Sequence, residues 1–352
     1  MARLGRVFAN AGASYDSHWI DLNAMTNTQT SSWLTACIFY NEPWESFLAE
    51  AVKPLTDVTL QTGIASSFFF SRHWTRGPHI RLHFKGETDL LESILKPNIH
   101  EHFSQYFKSK PSSRFEPQYP PAFPENHKWL PNNSVHFLPA GQLGIHLPPP
   151  LSLDVVEKLL EQSSLIALNF FKEKGEFIAR DEAGNLSTKL LFGLLYSAGF
   201  TAPEVHAFLK WAYVKWVDAQ QLPPEQIQLL VTGFRRMTDL QAPELESHLT
   251  ALWELIRKHN DLGDLVFSNW IRTAGQIIRR FPAEQTGDES WRFNFAYLLL
   301  QNLNNRLGIT AKKEGHLLYS LSRCTSLLAA KAAPQSFSSR PLHTEQKQTP
   351  LE

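Results

Sequence analysis

Residues 66–85 read SSFFFSRHWTRGPHIRLHFK. From His79 to Lys85 this stretch alternates strictly: Ile80, Leu82 and Phe84 are apolar, while His79, Arg81, His83 and Lys85 are polar. Side chains along a strand point to opposite faces in turn, so this period of two predicts a strand with one buried and one polar face. Residues 66–72 predict a second, aromatic strand, and Thr75-Arg76-Gly77-Pro78 between the two is turn chemistry. So short a connection makes the two strands antiparallel neighbours.

Working outward, residues 33–40 (WLTACIFY) predict a buried strand, and the apolar positions 44, 47, 48, 51, 52 and 55 have helical spacing. Gly86 ends the central strand, and residues 90–107 predict a helix interrupted near Pro97. Residues 111–150 hold ten of the 22 prolines, which excludes regular helix and leaves an irregular cover with short strands at 135–138 and 143–147. Beyond Pro150 the spacing is helical at 153–172, 188–198, 203–216, 225–237, 242–259, 264–280, 290–307 and 312–332. Gly184, Gly199, Pro223, Pro243, Gly263, Pro282 and Gly308 punctuate these segments. Strands first and helices afterwards predict an α+β fold: an N-terminal antiparallel sheet with helices, followed by a mainly helical C-terminal half. The expected organisation is a loose segment 1–30, a sheet part 31–150, a helical part 151–332 and a disordered tail 333–352. One compact domain spanning 31–332 remains open.

The 352 residues carry 34 Lys+Arg against 34 Asp+Glu, which excludes the strongly basic chain of a simple nucleic-acid binder. A hydrophobic fraction of 43% with 12% aromatics suffices for a packed core. Cys37 and Cys324 make neither a disulfide framework nor a four-thiolate zinc site, so a reducing compartment is expected. The N-terminus lacks the apolar run of a signal peptide, and no membrane-length apolar stretch follows, so the expected location is cytoplasmic, away from membranes. No G-x-G-x-x-G or G-x-x-x-x-G-K-S/T occurs, so no nucleotide cofactor is expected. No H-E-x-x-H occurs, His79 and His83 stand roughly 13 Å apart along a strand, and His100 and His102 fall on different helix faces. No metal is expected. There is no G-x-S-x-G elbow, and Cys37 in its apolar strand reads as core.

The polar face of the central strand carries the first candidate site. His79, Arg81, His83 and Lys85 share it, and one or both of Arg72 and His73 join it across the turn. Arginine grips carboxylate or enolate oxygens with a planar fork, and histidine exchanges protons near neutrality. The bland alternative is a solvated strand face, although such faces usually carry Thr, Lys, Glu or Ser. The second candidate is a late helix with Tyr297, Gln301, Asn305 and Arg306, the first three at four-residue steps on one face. Its bland alternative is a solvent-facing helix end.

Residues 68–84, FFFSRHWTRGPHIRLHF, resemble the signature of the thiopeptide-type bacteriocin biosynthesis domain, the C-terminal elimination-domain family of lantibiotic dehydratases. That signature runs aromatic-aromatic-x-R-Y/H-W, a short turn, then G-P-H-I/L-R-L. Trp33-x-x-x-Cys37-Ile-Phe-Tyr, Phe47-Leu-x-x-x-Val52-x-Pro54-Leu55 and Asn305-Arg306-Leu307 are similar to further family segments. The resemblance implies a tailoring role on a ribosomally made precursor peptide, with separate dehydratase (glutamylation) and azoline-forming proteins as partners. Two chemistries are implied: glutamate elimination from a glutamylated Ser or Thr, or formal 4+2 cycloaddition of two dehydroalanines that yields a pyridine and releases the leader. Residues 139–147 (PAGQLGIHL) lack the R-Y-G-G of eliminating members, and Gln301 stands where those carry His. The stand-alone length and the R-H-W-x-R-G-P-H form resemble the cycloaddition members. A non-catalytic peptide-binding scaffold is the other class. The implied catalytic residues are Arg81, His79, Arg72, His73 and His83. Trp74, Tyr297, Gln301, Asn305 and Arg306 are the implied peptide contacts.

Overall fold

The computed structural model describes residues 31–140, 142–143, 152–259 and 264–332. The expected loose ends, 1–30 and 333–352, lie outside the described residues, as does the strand expected at 143–147 except for Leu143.

Four strands form one antiparallel sheet: β1 (Ser31–Phe39), β2 (Ser67–His73), β3 (His79–Glu87) and β4 (Ser134–Phe137). Their spatial order is β2-β3-β1-β4. Helix α1 (residues 45–61) joins β1 to β2, and α2 (residues 88–109) follows β3. Two β-α-β units are thus interleaved in the ferredoxin-like manner. The register sets Phe68 opposite Phe84, Phe70 opposite Leu82, and Ala36 opposite Leu82. One sheet face therefore presents Leu34, Ala36, Ile38, Phe68, Phe70, Ile80, Leu82 and Phe84, all at most 3% exposed. The buried faces of α1 (Phe47, Leu48, Val52, Leu55) and α2 (Leu91, Leu95, Ile99, Phe103) belong to the same core. Truncating a core ring such as Phe84 to Ala costs about 3–5 kcal/mol through lost transfer energy and the cavity left behind.

Both helices of the sheet part are built alike. Each contains a π turn, Leu48–Val52 or Leu91–Leu95, immediately before a Lys-Pro pair. A proline lacks the N–H for the bond to residue i−4, and its ring crowds that carbonyl. The wider π turn opens the ladder at that point. The expected interruption near Pro97 is therefore a local widening, and the helix runs on to Ser109.

The helical half comprises α3 (Leu153–Ser197), α4 (Ala202–Gln220), α5 (Pro224–Asp239), α6 (Ala242–His259), α7 (Leu265–Ile278), α8 (Ala283–Gly287), α9 (Glu289–Leu307), α10 (Ala311–Cys324) and α11 (Ser326–Ala332). The α+β class and the sheet-then-helices order match the expectation. Helix α3 refines it locally: two helices meet at a kink at Gly175 (φ +70°, ψ 169°), so 153–172 and 188–198 do lie in separate helices, and the second begins well before 188. Ala179 and Ala183 continue the buried face between them, Gly184 sits within the helix, and Gly175 alone leaves helical geometry. Among the described residues no helix is long and apolar enough to cross a membrane.

Strand β2 lies at the sheet edge, yet three of its outward backbone groups are bonded. The Phe70 N–H donates to Ser164 Oγ of α3 at 3.1 Å. The Arg72 N–H donates to Asn305 Oδ1 of α9 at 2.8 Å, and the Arg72 carbonyl accepts from Asn305 Nδ2 at 2.9 Å. An open edge invites further strands, and here two helical side chains close it.

Candidate functional site

The polar face of the sheet holds most of the expected site residues. In register, Ser71, Arg81, Cys37 and His136 form one row, and His73, His79, Phe39 and Ser134 the next. His83 lies between Phe69 and Thr35 in the row below. His73 thus joins His79, Arg81 and His83. Arg72 pairs with Ile80 and points to the opposite face. This face is not a solvated one: His79 is 1% exposed and His83 0%. Phe39 stacks on His79 with ring centroids 4.5 Å apart, Phe69 on His83 at 4.4 Å, and His73 on His79 at 5.4 Å. The alternation predicts the shared face, but the aromatic partners come from β1 and β2.

Hydrogen bonds define the proton positions. His79 Nδ1 lies 2.9 Å from the Gly77 carbonyl, which can only accept, so Nδ1 carries the proton. Its Nε2 then accepts from Arg81 Nε–H at 3.1 Å. Thr35 Oγ1 donates to the Gln142 carbonyl at 3.0 Å and lies 3.0 Å from His83 Nδ1. The Thr35 proton is committed, so His83 Nδ1–H is the donor, and the buried Nε2 keeps a lone pair without a partner among the described residues. Such an orphaned acceptor points to a functional role.

Burial dominates the electrostatics. It lowers His73 to about 3, assisted by Arg81, His79 and Arg306. It lowers His79 to about 4, against the Gly77 carbonyl and with Arg81. It holds His83 well below the ordinary histidine value, with further contributions from His73, Arg81 and Arg306. The three imidazoles are therefore neutral at pH 7. Lys85, at the far end of β3, is paired with Glu157 at 2.7 Å. The expected cationic cluster reduces to Arg81 among neutral rings. Cys37, set aside in the sequence as core, stands opposite Arg81, and burial raises its thiol pKa against the pull of Arg81. The same-parity positions Trp33, Thr35, Cys37 and Phe39 could have been assigned to this face once β1 was known to lie beside β3.

Arg72 anchors a second region. Its guanidinium donates to Glu45 at 2.9 Å and to the Arg306 carbonyl at 3.1 and 3.3 Å. It also lies over the rings of Trp44 and Phe171. Burial works to raise Glu45, but Arg72, its hydrogen bond and Arg180 outweigh this and hold the carboxyl below its usual range. Beside this pair opens a cleft of about 730 Å³, lined by Trp74, Arg180, Gln301, Asn305 and Glu314 among others. Trp74, 54% exposed, stands in its wall with its indole N–H on Glu42. Asn305 lines the cleft but spends both amide groups on β2.

Two expected peptide contacts lie elsewhere. Arg306 is 1% exposed, with its guanidinium bonded to Ser164 and to the Asn302 carbonyl, so it ties α9 to α3 rather than facing a ligand. Tyr297 is outside the cleft lining and packs edge-on against Trp211, and burial raises its hydroxyl to about 12. Among the described residues no group of three His, Cys, Asp or Glu side chains is placed to hold a metal ion.

Solved structures share this fold. The pyridine synthase TbtD from thiomuracin biosynthesis aligns with 86% of this chain and 100% of its own, at 16% identity and a TM-score of 0.67. The tRNA-dependent lantibiotic dehydratase MibB from Microbispora sp. 107891 aligns over 86% of this chain and 28% of its own, at 16% identity and a TM-score of 0.53. TsrL aligns over 87% and 100%, at 17% identity and a TM-score of 0.52. No curated protein sequence matches the chain. Residues 33–325 match the family described as lantibiotic biosynthesis dehydratase C-term, and the chain belongs to that family.

Proposed function

We propose that this protein is a tailoring enzyme of ribosomally synthesised peptides that joins two dehydroalanines of one precursor by formal 4+2 cycloaddition, and that loss of water and of the leader leaves a pyridine. The observation that carries this reading is Arg81 set among three neutral imidazoles on one sheet face, two of them buried and His73 half-buried. The diene partner is an amide in its iminol form, made by moving a proton from nitrogen to the carbonyl oxygen. A guanidinium held in place stabilises charge developing on that oxygen. A neutral imidazole has the lone pair to accept that proton and return it to the oxygen. His73, the half-buried imidazole of the three, suits that task.

The cleft beside Trp74 and Gln301 is the proposed path of the peptide, with the indole face offering apolar contact. Separate proteins that dehydrate serines and form azolines supply the substrate. The test is incubation of the purified chain with a leader-bearing peptide carrying two dehydroalanines, followed by mass spectrometry. A ring product lacking water, together with a leader fragment, supports the proposal, and Arg81→Lys should abolish both. Glutamate loss from a glutamylated peptide would assign elimination instead. Binding without either product would assign a scaffold.

A further inference from the structure

We infer that His79 is a positioning residue: clamped by the Gly77 carbonyl, it aims Arg81 into the site and carries no proton of the reaction itself. This rests on the site proposed above for its catalytic meaning, but its geometry stands independently. The Gly77 oxygen requires a proton on His79 Nδ1, and Arg81 Nε–H requires a lone pair on Nε2. One neutral tautomer satisfies both demands, and an imidazolium would turn a donor toward Arg81. The ring is held between Phe39 and His73 and is 1% exposed, so substrate does not reach it.

The chain of contacts extends outward. Gly77 has φ +104°, and a Cβ there would lie 2.9 Å from Arg114 Nη1 and 3.3 Å from Trp129. Arg114 lies over the Trp129 ring at 5.1 Å and also donates to the Leu130 carbonyl. The Leu130 N–H donates to the Arg76 carbonyl at 2.9 Å, and Arg76 Nε donates to the Lys128 carbonyl at 3.1 Å. The proline-rich cover is therefore a strap on the β2–β3 turn. It fixes the Gly77 carbonyl, which fixes the His79 tautomer, which fixes Arg81. A neutral relay of this kind leaves proton transfer to the half-buried His73.

The test begins with nitrogen NMR on the isotopically labelled full chain at pH 7. The expected result is a protonated Nδ1 and a bare Nε2 on His79. A protonated Nε2, or an imidazolium, overturns the inference whatever the enzyme's substrate. The Arg81 Nε–H should exchange slowly and quicken by about tenfold or more in His79→Leu, because its acceptor is gone. With the dehydrated peptide, His79→Leu should lower kcat on the order of 100-fold through misplacement of Arg81. KM should stay within about threefold, since ground-state binding is not what is lost. His79→Gln keeps an acceptor near the Nε2 position and should recover most of the rate. Wild-type protein inactive on that peptide but with the expected tautomer would sink the proposed reaction and spare this inference. Active protein with both variants at wild-type rate would sink this inference and spare the reaction.

Discussion

Removing one half of the Glu45–Arg72 pair should be among the most damaging single changes in the chain. Both side chains are buried, at 6% and 5% exposed, and the contact is 2.9 Å. In Glu45→Gln the guanidinium keeps the Arg306 carbonyl and its two aromatic rings but loses the opposing charge. Leaving a buried charge without its partner costs about 3–5 kcal/mol. Unfolding entropy of roughly 2.1 cal/mol/K per residue over 352 residues amounts to about 0.7 kcal/mol per degree. The expected fall in Tm is therefore about 4–7 °C. The assay is thermal and urea unfolding of wild type, Glu45→Gln, Arg72→Met and the double variant. The double variant should lie closer to wild type than the two single losses added together, because neither charge is then stranded. Glu45 also has a sign in pH: its folded pKa lies below the unfolded one, so its contribution is present above the ordinary glutamate range. It is lost as pH falls through the folded value. The stability difference between wild type and Glu45→Gln should therefore shrink on acidification. A single-variant loss under about 1 kcal/mol, or strict additivity in the double, would refute the reasoning.

Three further outcomes follow from the same geometry. His79 titrates near 6.5 when unfolded and at about 4 when folded, so the unfolded state binds more protons between those values. Stability should fall by up to about 1.4 kcal/mol per pH unit across that window as pH drops, and His79→Leu should flatten the slope; an unchanged slope counts against the assignment. Asn305→Ala strips both bonds from the Arg72 backbone and should cost about 1–3 kcal/mol, with faster amide exchange at Arg72 as its local signature. Gly308→Ala meets a φ of +72° and places a Cβ 2.7–2.9 Å from the Arg72 guanidinium, so it should destabilise by more than the roughly 1 kcal/mol of the backbone strain alone; unfolding in denaturant measures it.

The alternation of 79–85 made β3 and its two faces legible, and apolar spacing located the helices because one face of each is buried. Whether that polar face meets water was not legible, since period two reports parity and not what lies opposite. The side taken by Arg72 depends on how β2 and β3 register across residues 74–78, where His73 comes to oppose His79. The early start of the second helix, after the Gly175 kink and before 188, hid behind charged residues because Ala179 and Ala183 signal burial only weakly. The roles of Arg306 and Asn305 were invisible for a similar reason: a buried arginine and a strand-capping amide look in sequence like a polar helix end.

The closure of β2 by Asn305 has a consequence for how the chain is made. The two partners are 233 residues apart. Strands β1 to β3 emerge from the ribosome early and can pair at once, but the Arg72 end of the outer rim of β2 stays bare until α9 has been synthesised, well after Ser164 of α3 can reach Phe70. At about 5–20 residues per second that interval is roughly 10–50 s. Through it the nascent sheet offers the unbonded amide and carbonyl of Arg72 close to three consecutive phenylalanines, and chaperone dependence should be concentrated in that window.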